Sequence, residues 1–290
     1  MEIMDCSDRL PSNFEWLPWG DLHRGNRDSK DKAIARFVDY IRGGKNRYFS
    51  LGGDQLECIT PNDKRFDSDS HSGQFSRLTA QANDVIDTFQ PIASKCLWIL
   101  DGNHEHTVMN IGNFNKDIIC RSLDIPYGTY TVKATLTPKL KVFDWHGAGV
   151  CNSRAGNRKQ RRNNRENRVR TNMVELAHDV ELMCQHHIHQ TIINRPERVQ
   201  RMIDDGKKLH YITNDVRRIP LPKRGAWYIN EDDRFYCSSG SALGEFGIGY
   251  SGYAERLGLP PTDISTLKVT VKNELLFNVE EYKLTNGEGL

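Results

Sequence analysis

The chain has 290 residues, 37% of them hydrophobic and 27% charged, with a formal net charge of +2. That balance describes a globular, polar-surfaced protein long enough for one large or two small domains. No run approaches the ~18 consecutive apolar residues of a membrane span, so no membrane partner is expected.

The N-terminal stretch Met1 to Pro11 carries acids and no apolar run, so no secretory signal is expected. Seven scattered cysteines with no CxxC pair point to reduced thiols in an intracellular, cytoplasmic protein and argue against a thiolate zinc site. No internal repeat or low-complexity linker interrupts the chain. One domain over 1–290 is the simplest organisation, with a basic insertion at about 150–172 and C-terminal strands at about 234–282.

Phe14 to Trp19 reads as a strand running into Gly20-Asp21-Leu22-His23. On extended chain, Asp21 and His23 share a face, which suits half of a metal site or a solvated turn. Ile34, Phe37, Val38 and Ile41 repeat at helical spacing. Asp28 or Ser29 is placed to cap that helix, and Gly43-Gly44 to end it. Arg47 to Leu51 is a second buried strand, closing on Gly53-Asp54. Residues 61–73 read as an exposed loop in which His71 is solvated. Leu78, Ala82, Val85, Ile86 and Phe89 mark a second helix, stopped by Pro91.

The apolar run Cys96 to Leu100 then delivers Asp101-Gly102-Asn103-His104-Glu105. Asn103 offers a carbonyl oxygen to a metal and His104 can move a proton near neutral pH. Strands and helices alternating in this way predict right-handed crossovers and a mostly parallel sheet, with Asp21, His23, Asp54 and Asn103 at one edge.

Asn113 to Leu123 has helical composition. Thr129 to Leu136 and Leu140 to Trp145 suggest a second sheet with antiparallel pairing, ending at His146. A basic run follows, in which Arg154, Arg158, Arg161, Arg162 and Arg165 are candidate phosphate contacts. The alternative is a solvated insertion. The run holds no aromatic residue, so base stacking is not expected there. A helical segment through Met173, Leu176 and Ala177 comes next. Val180 to Cys184 is strand-like and delivers His186-His187-Ile188-His189. Packing needs none of these imidazoles, and clustered imidazoles repel when charged. Residues 195–208 suggest a helix with a solvated face. Arg234 to Cys237 reads as a strand. Residues 246–253 form a glycine-rich stretch with no following Lys, unlike a phosphate-cradling loop. Leu267 to Val271 and Leu275 to Tyr282 suggest a closing hairpin.

The ordered set Asp21-x-His23, Gly53-Asp54, Gly102-Asn103-His104-Glu105, His146 and His187-x-His189 resembles the calcineurin-like metallophosphoesterase superfamily. Wording such as Leu17-Pro18-Trp19-Gly20-Asp21, Gly52-Gly53-Asp54-Gln55-Leu56-Glu57, Ser239-Gly240-Ser241 and Tyr253-Ala254-Glu255 is similar to its phage-encoded branch.

The resemblance implies a four-layer α/β/β/α fold, two β-sheets packed face to face and flanked by helices. It also implies a dinuclear centre. Asp21, His23 and His189 would hold one divalent ion, and Asn103, His146 and His187 the other, with Asp54 between them. Such mixed nitrogen and oxygen ligands suit manganese, iron, zinc or nickel without choosing among them. His104 matches the catalytic histidine that protonates the leaving oxygen, and Glu105 and His186 would stand behind the ligands.

The expected activity is hydrolysis of a phosphate ester by a metal-activated water. Phosphodiester bonds of nucleotides, DNA or RNA are favoured. A phosphomonoesterase or protein phosphatase, or a metal-stabilised binding protein without catalysis, remain open. Two positions depart from the family pattern. His186 stands where a glycine is usual, where it could crowd the turn or lie near the metals, and Asp101 adds an acid that would lower the positive potential for phosphate.

Overall fold

A computed structural model describes the chain apart from residues 61, 62, 65, 67, 69–71, 74–76, 198, 199, 214–217, 222–225, 245, 247–254, 256, 257, 259–263 and 286–290. His71, residues 247–253 of the glycine-rich stretch and Tyr253-Ala254 therefore lie outside the described residues. The chain begins with β1 (Glu2–Asp5), β2 (Phe14–Trp19), α1 (Asp31–Gly43), β3 (Arg47–Leu51), α2 (Leu78–Phe89) and β4 (Cys96–Ile99). A short helix α3 (Asn103–His106) follows, and a π-helical turn over Asn115–Cys120 leads into α4 (Arg121–Leu123). The second half contains β5 (Thr131–Thr137), β6 (Leu140–Trp145), α5 (Arg158–Met173), β7 (Leu182–Gln185), β8 (Ile192–Asn194), β9 (Gln200–Asp204) and β10 (Leu209–Thr213). The remaining strands are β11 (Arg218–Leu221), β12 (Ala226–Ile229), β13 (Phe235–Ser238), β14 (Ser265–Lys272) and β15 (Leu275–Lys283).

Two sheets carry the fold. One runs β15-β14-β2-β3-β4 and the other β1-β5-β6-β7-β13-β8. In the first, β2, β3 and β4 are parallel, as the alternation of strand and helix requires, and the β14–β15 hairpin joins antiparallel at the β2 edge.

Period-two alternation builds the layers. Leu17 and Trp19 pack with Ile34, Phe37 and Ile41 of α1 and with Val85 of α2. Trp16, directly before Leu17 in sequence, faces the opposite way, joining Trp98, Val142, Leu182 and Leu267 between the sheets. On the far side, Phe143 and Met183 meet Val169 and Met173 of α5. The layer order is helix, sheet, sheet, helix, as expected. Burying one large apolar side chain is worth about 1.5–3 kcal/mol. A one-residue slip of β2 would exchange Trp16 with its neighbours, so the register is strongly set.

Several expectations change. The second sheet is mixed: β5–β6 and β13–β8 are antiparallel, but β1–β5, β6–β7 and β7–β13 are parallel. The N-terminal acids include an unexpected edge strand, β1. Lys30 precedes α1 and gives it no side-chain cap. Ser29 Oγ instead donates to the Leu22 carbonyl at 2.7 Å. The second helix does end just before Pro91, at Phe89, and Pro91 itself sits in the first turn of a 3-10 segment, Gln90–Lys95, where its missing N–H costs nothing.

The helix suggested at 195–208 is absent among the described residues. β9 and β10 pair there as an antiparallel hairpin, so cross-strand pairing overrides the weak helical pattern. The basic run is itself helical, forming most of α5, with Asn157 Oδ1 accepting the Gln160 N–H at 2.8 Å as the cap. No helix among the described residues is long and apolar enough to cross a membrane.

Candidate metal centre

The strand ends bring together the side chains that the spacing suggested. Asp21 and His23 follow β2, Asp54 follows β3, Asn103 opens α3 after β4, His146 follows β6, and His187 and His189 follow β7. Ligand-type atoms of Asp21, His23 and His189 lie within 4.8 Å of one another, as do those of Asp54, His146 and His187. Asn103 Oδ1 is 3.0 Å from His146 Nε2, at the second group. The seven residues come from both sheets, so their spacing depends on how the sheets are held together.

The imidazoles are aimed by their other nitrogens. His23 Nδ1 is 2.9 Å from Glu57 Oε2, and His146 Nδ1 is 2.8 Å from the Gly52 carbonyl. These oxygens only accept, so each Nδ1 carries a proton and each Nε2 faces the cluster. His23 Nε2 meets His189 Nε2 at 3.2 Å. Asp21 Oδ1 is buried with no hydrogen-bond partner, while Oδ2 accepts the His187 N–H at 2.9 Å. Five of the seven residues have left-handed backbone: Asp21 (φ 57), His23 (φ 51), Asp54 (φ 53), His187 (φ 72) and His189 (φ 55). Such a conformation in a non-glycine residue costs of order 1–3 kcal/mol and collects at functional sites. An orphaned carboxylate oxygen, facing imidazole nitrogens and a donor set of nitrogen and oxygen all fit a pair of divalent cations.

Electrostatics match. Burial opposes ionisation of Asp21, yet His189, whose Nε2 approaches Oδ1 to 3.5 Å, and His146 hold its carboxyl at about 2. Burial likewise opposes the charged form of Asp54, but His146 and His104 hold it well below the usual range. His146 shows the complementary shift: burial disfavours the charged ring, but Asp54 outweighs it and lifts the value to about 9.

His104 stands beside the cluster, its ring 4.6 Å from that of His23, centroid to centroid. Its backbone N–H donates to Asp54 Oδ1 at 2.8 Å and its Nδ1 donates to the Glu57 carbonyl at 2.5 Å. Burial lowers its pKa. Glu105 lies behind Asp54, accepting the N–H groups of Gly102 (2.8 Å), Asp54 (2.9 Å) and Leu56 (3.0 Å). His186 is fully buried behind the ligands and bonded to Asp144 and Ser239. Asp101 does not join either ligand group. Its carboxyl accepts from the Tyr127 hydroxyl and from Asn113 Nδ2 at 3.0 Å, and burial raises its pKa. The extra acid is therefore engaged behind the loop.

The basic residues are placed unevenly. Arg165 donates to Gln190 Oε1 at 3.0 Å, next to His189. Arg161 donates to the carbonyls of Ala155 and Gly156, and Arg162 pairs with Glu166 at 2.7 Å. Arg154 and Arg158 are exposed. Sequence spacing assigned no role to Glu57, which is buried, binds His23 and also takes Asn26 Nδ2 at 3.2 Å. Its signal was an acid three residues beyond Asp54. Asp144 was also missed, although a carboxylate between Phe143 and Trp145 in an apolar strand was visible.

No family model and no curated protein matches the chain. Among solved structures it is similar to Yfce, a phosphoesterase from E. coli, at 13% identity and a TM-score of 0.42, over 92% of this chain and 98% of that one. The NAD nucleotidase NadN of Haemophilus influenzae follows at 12% identity and 0.37, over 92% of this chain and 49% of that one. GAP50, the anchor in the inner membrane complex of Plasmodium, aligns at 10% identity and 0.37, over 96% and 91%. Likenesses this distant carry no argument about chemistry, which rests on the site itself.

Proposed function

We propose that the chain is a dinuclear-metal phosphoesterase that cleaves phosphodiester bonds. The observation that carries this is the pair of adjacent ligand groups, Asp21–His23–His189 and Asp54–His146–His187, with Asn103 at the second. Two divalent ions held there would supply a deprotonated water at neutral pH and positive charge against the phosphate oxygens. Manganese, iron, zinc and nickel all suit the donor set.

The chain's own residues do the rest. Glu57 orients His23 and, through its carbonyl, His104. With Nδ1 committed to that carbonyl, His104 Nε2 is the atom left to serve the leaving oxygen; since burial disfavours the charged ring, Nε2 takes up a proton from solvent and the imidazolium so formed passes it on. Glu105 holds the Asp54 loop in place through three backbone donors. The exposed arginines of α5 and the loop before it, with Arg165 braced on Gln190, favour an extended polyanion such as DNA or RNA over a small monoester.

The deciding assay compares bis-p-nitrophenyl phosphate with p-nitrophenyl phosphate, with added Mn²⁺ and after EDTA. Metal-dependent turnover of the diester is expected. Preference for the monoester would make the chain a phosphomonoesterase. No turnover of either, or of labelled DNA and RNA, would leave a metal-stabilised binding protein.

A further inference from the structure

Five strands carry the metal ligands, and each also contributes to one buried hydrogen-bond network between the sheets. Asp144, on β6, is its hub and is fully buried. One carboxylate oxygen, Oδ2, accepts Trp98 Nε1 of β4 at 2.7 Å and Ser50 Oγ of β3 at 3.2 Å. Ser50 Oγ in turn accepts Trp16 Nε1 of β2 at 3.2 Å. The other oxygen, Oδ1, is 2.9 Å from Nε2 of His186, which follows β7. His186 Nδ1 is 2.6 Å from Ser239 Oγ, just past β13.

His186 fits only because its neighbours lack side chains. A Cβ on Gly52 would come within 2.1 Å of its Nε2, and a Cβ on Gly20 within 2.9 Å of its Cγ. Gly20 directly precedes Asp21, and Gly52 lies two residues before Asp54. The ring of His186 thus wedges between the two ligand loops of one sheet while bonded to the other.

We infer that His186 and Asp144 are positioning residues that hold the ligands of one sheet in place against those of the other, within both ligand groups. This rests on the metal-centre reading above. A buried polar group must keep its partners or incur a desolvation penalty, so the network holds five strand ends in one arrangement. Hydrophobic burial between the sheets is non-directional, whereas these hydrogen bonds specify partner atoms.

Two other roles fail on the same geometry. Ser239, His186 and Asp144 follow the order of a hydrolytic triad, but all three are fully buried and no ester can reach the hydroxyl. Asp144, Cys184 and His186 also place ligand-type atoms within 4.8 Å of one another, yet both Asp144 oxygens are already taken by hydrogen bonds.

The test is Mn²⁺ titration calorimetry on chelator-stripped protein, with thermal melts of the metal-free forms. Wild type is expected to bind two ions. His186→Ala and Asp144→Asn are expected to weaken binding by about 10–100-fold, the usual effect of removing outer support from a metal site. Leu136→Ala serves as the control. It truncates a buried residue of the same inter-sheet core on β5, which bears no ligand, and is expected to lower the melting temperature with Mn²⁺ affinity intact. If His186→Ala fails to fold, Asp144→Asn and the milder Ser239→Ala decide. Unchanged affinity in the network variants, or an equal loss in Leu136→Ala, overturns the positioning role while leaving the metal centre standing. A wild type that binds no divalent ion overturns the metal centre, and the inference with it.

Discussion

Glu105 Oε2 accepts the backbone N–H of Asp54 at 2.9 Å, tying the loop after β4 to the loop after β3. The same oxygen takes the Gly102 N–H and its partner oxygen the Leu56 N–H, so three donors depend on one side chain. Burial and the nearby charge of Asp54 push its carboxyl up to about 8. Above that value, where the carboxylate is ionised and both oxygens accept, Glu105→Gln would turn an NH₂ group against one of those donors. A loss of about 1–3 kcal/mol is expected in urea unfolding of the metal-free protein, the cost of a buried donor left unpaired. An unchanged midpoint would show that the loops are held by other means.

His104→Ala should lower kcat by about 10²–10⁴-fold if the ring protonates the leaving oxygen. The loss should be greatest for diesters with poor, alkyl-type leaving groups and smallest for p-nitrophenyl esters, which need little protonation. Comparing the two substrate types with metal content checked separates proton donation from loss of the centre. Equal losses on both would assign His104 to binding.

Metal uptake should release protons. In the metal-free chain His146 keeps its proton up to about 9, above its ordinary value of 6.5. Its pairing with Asp54 therefore stabilises the fold fully below about 6.5, and that contribution disappears as pH rises through about 9. Metal binding requires the neutral ring, so affinity should rise from neutral pH toward pH 9. Calorimetry in two buffers of different ionisation enthalpy measures the protons released. Identical heats in both would contradict the assignment of His146 as a ligand.

The cysteines should be inert in the folded protein. All seven are free and buried. Burial pushes the thiols of Cys6 and Cys151 up to about 11 and Cys120 to about 12, and raises Cys58, Cys96, Cys184 and Cys237 as well. A thiol reagent at mildly alkaline pH should label the native protein slowly and all seven sites in guanidinium. Rapid native labelling of one site would show that its thiol is reached by solvent in the folded protein.

Nucleic-acid binding, if it runs along α5, should depend on salt. Replacing the exposed Arg154, Arg158 and Arg162 by alanine should flatten the plot of log affinity against log salt by about 0.7–0.9 per lost phosphate contact. An unchanged slope would remove the basic helix from the substrate path.

The ligand blocks were legible because each is local. An apolar strand, a glycine-assisted turn and a polar donor occupy a few consecutive residues, as in Gly53-Asp54 and Gly102-Asn103, and the parallel pairing of β2, β3 and β4 followed from alternation. Residues 195–208 were misread because short exposed strands are chosen by their cross-strand partners, which periodicity does not show. By itself the sequence determined which side chains reach the strand ends, since that follows from period-two burial, while the layer order of helices and sheets was implied by the resemblance that the ligand blocks carry. Only the tertiary structure decided that Glu57 orients both His23 and His104, that Asp101 is bonded to Tyr127 away from the ligand groups, and that His186 locks onto Asp144 behind them. Those contacts join residues up to scores of positions apart, and the free energy that selects them arises only when the two sheets close and every buried polar group must find a partner.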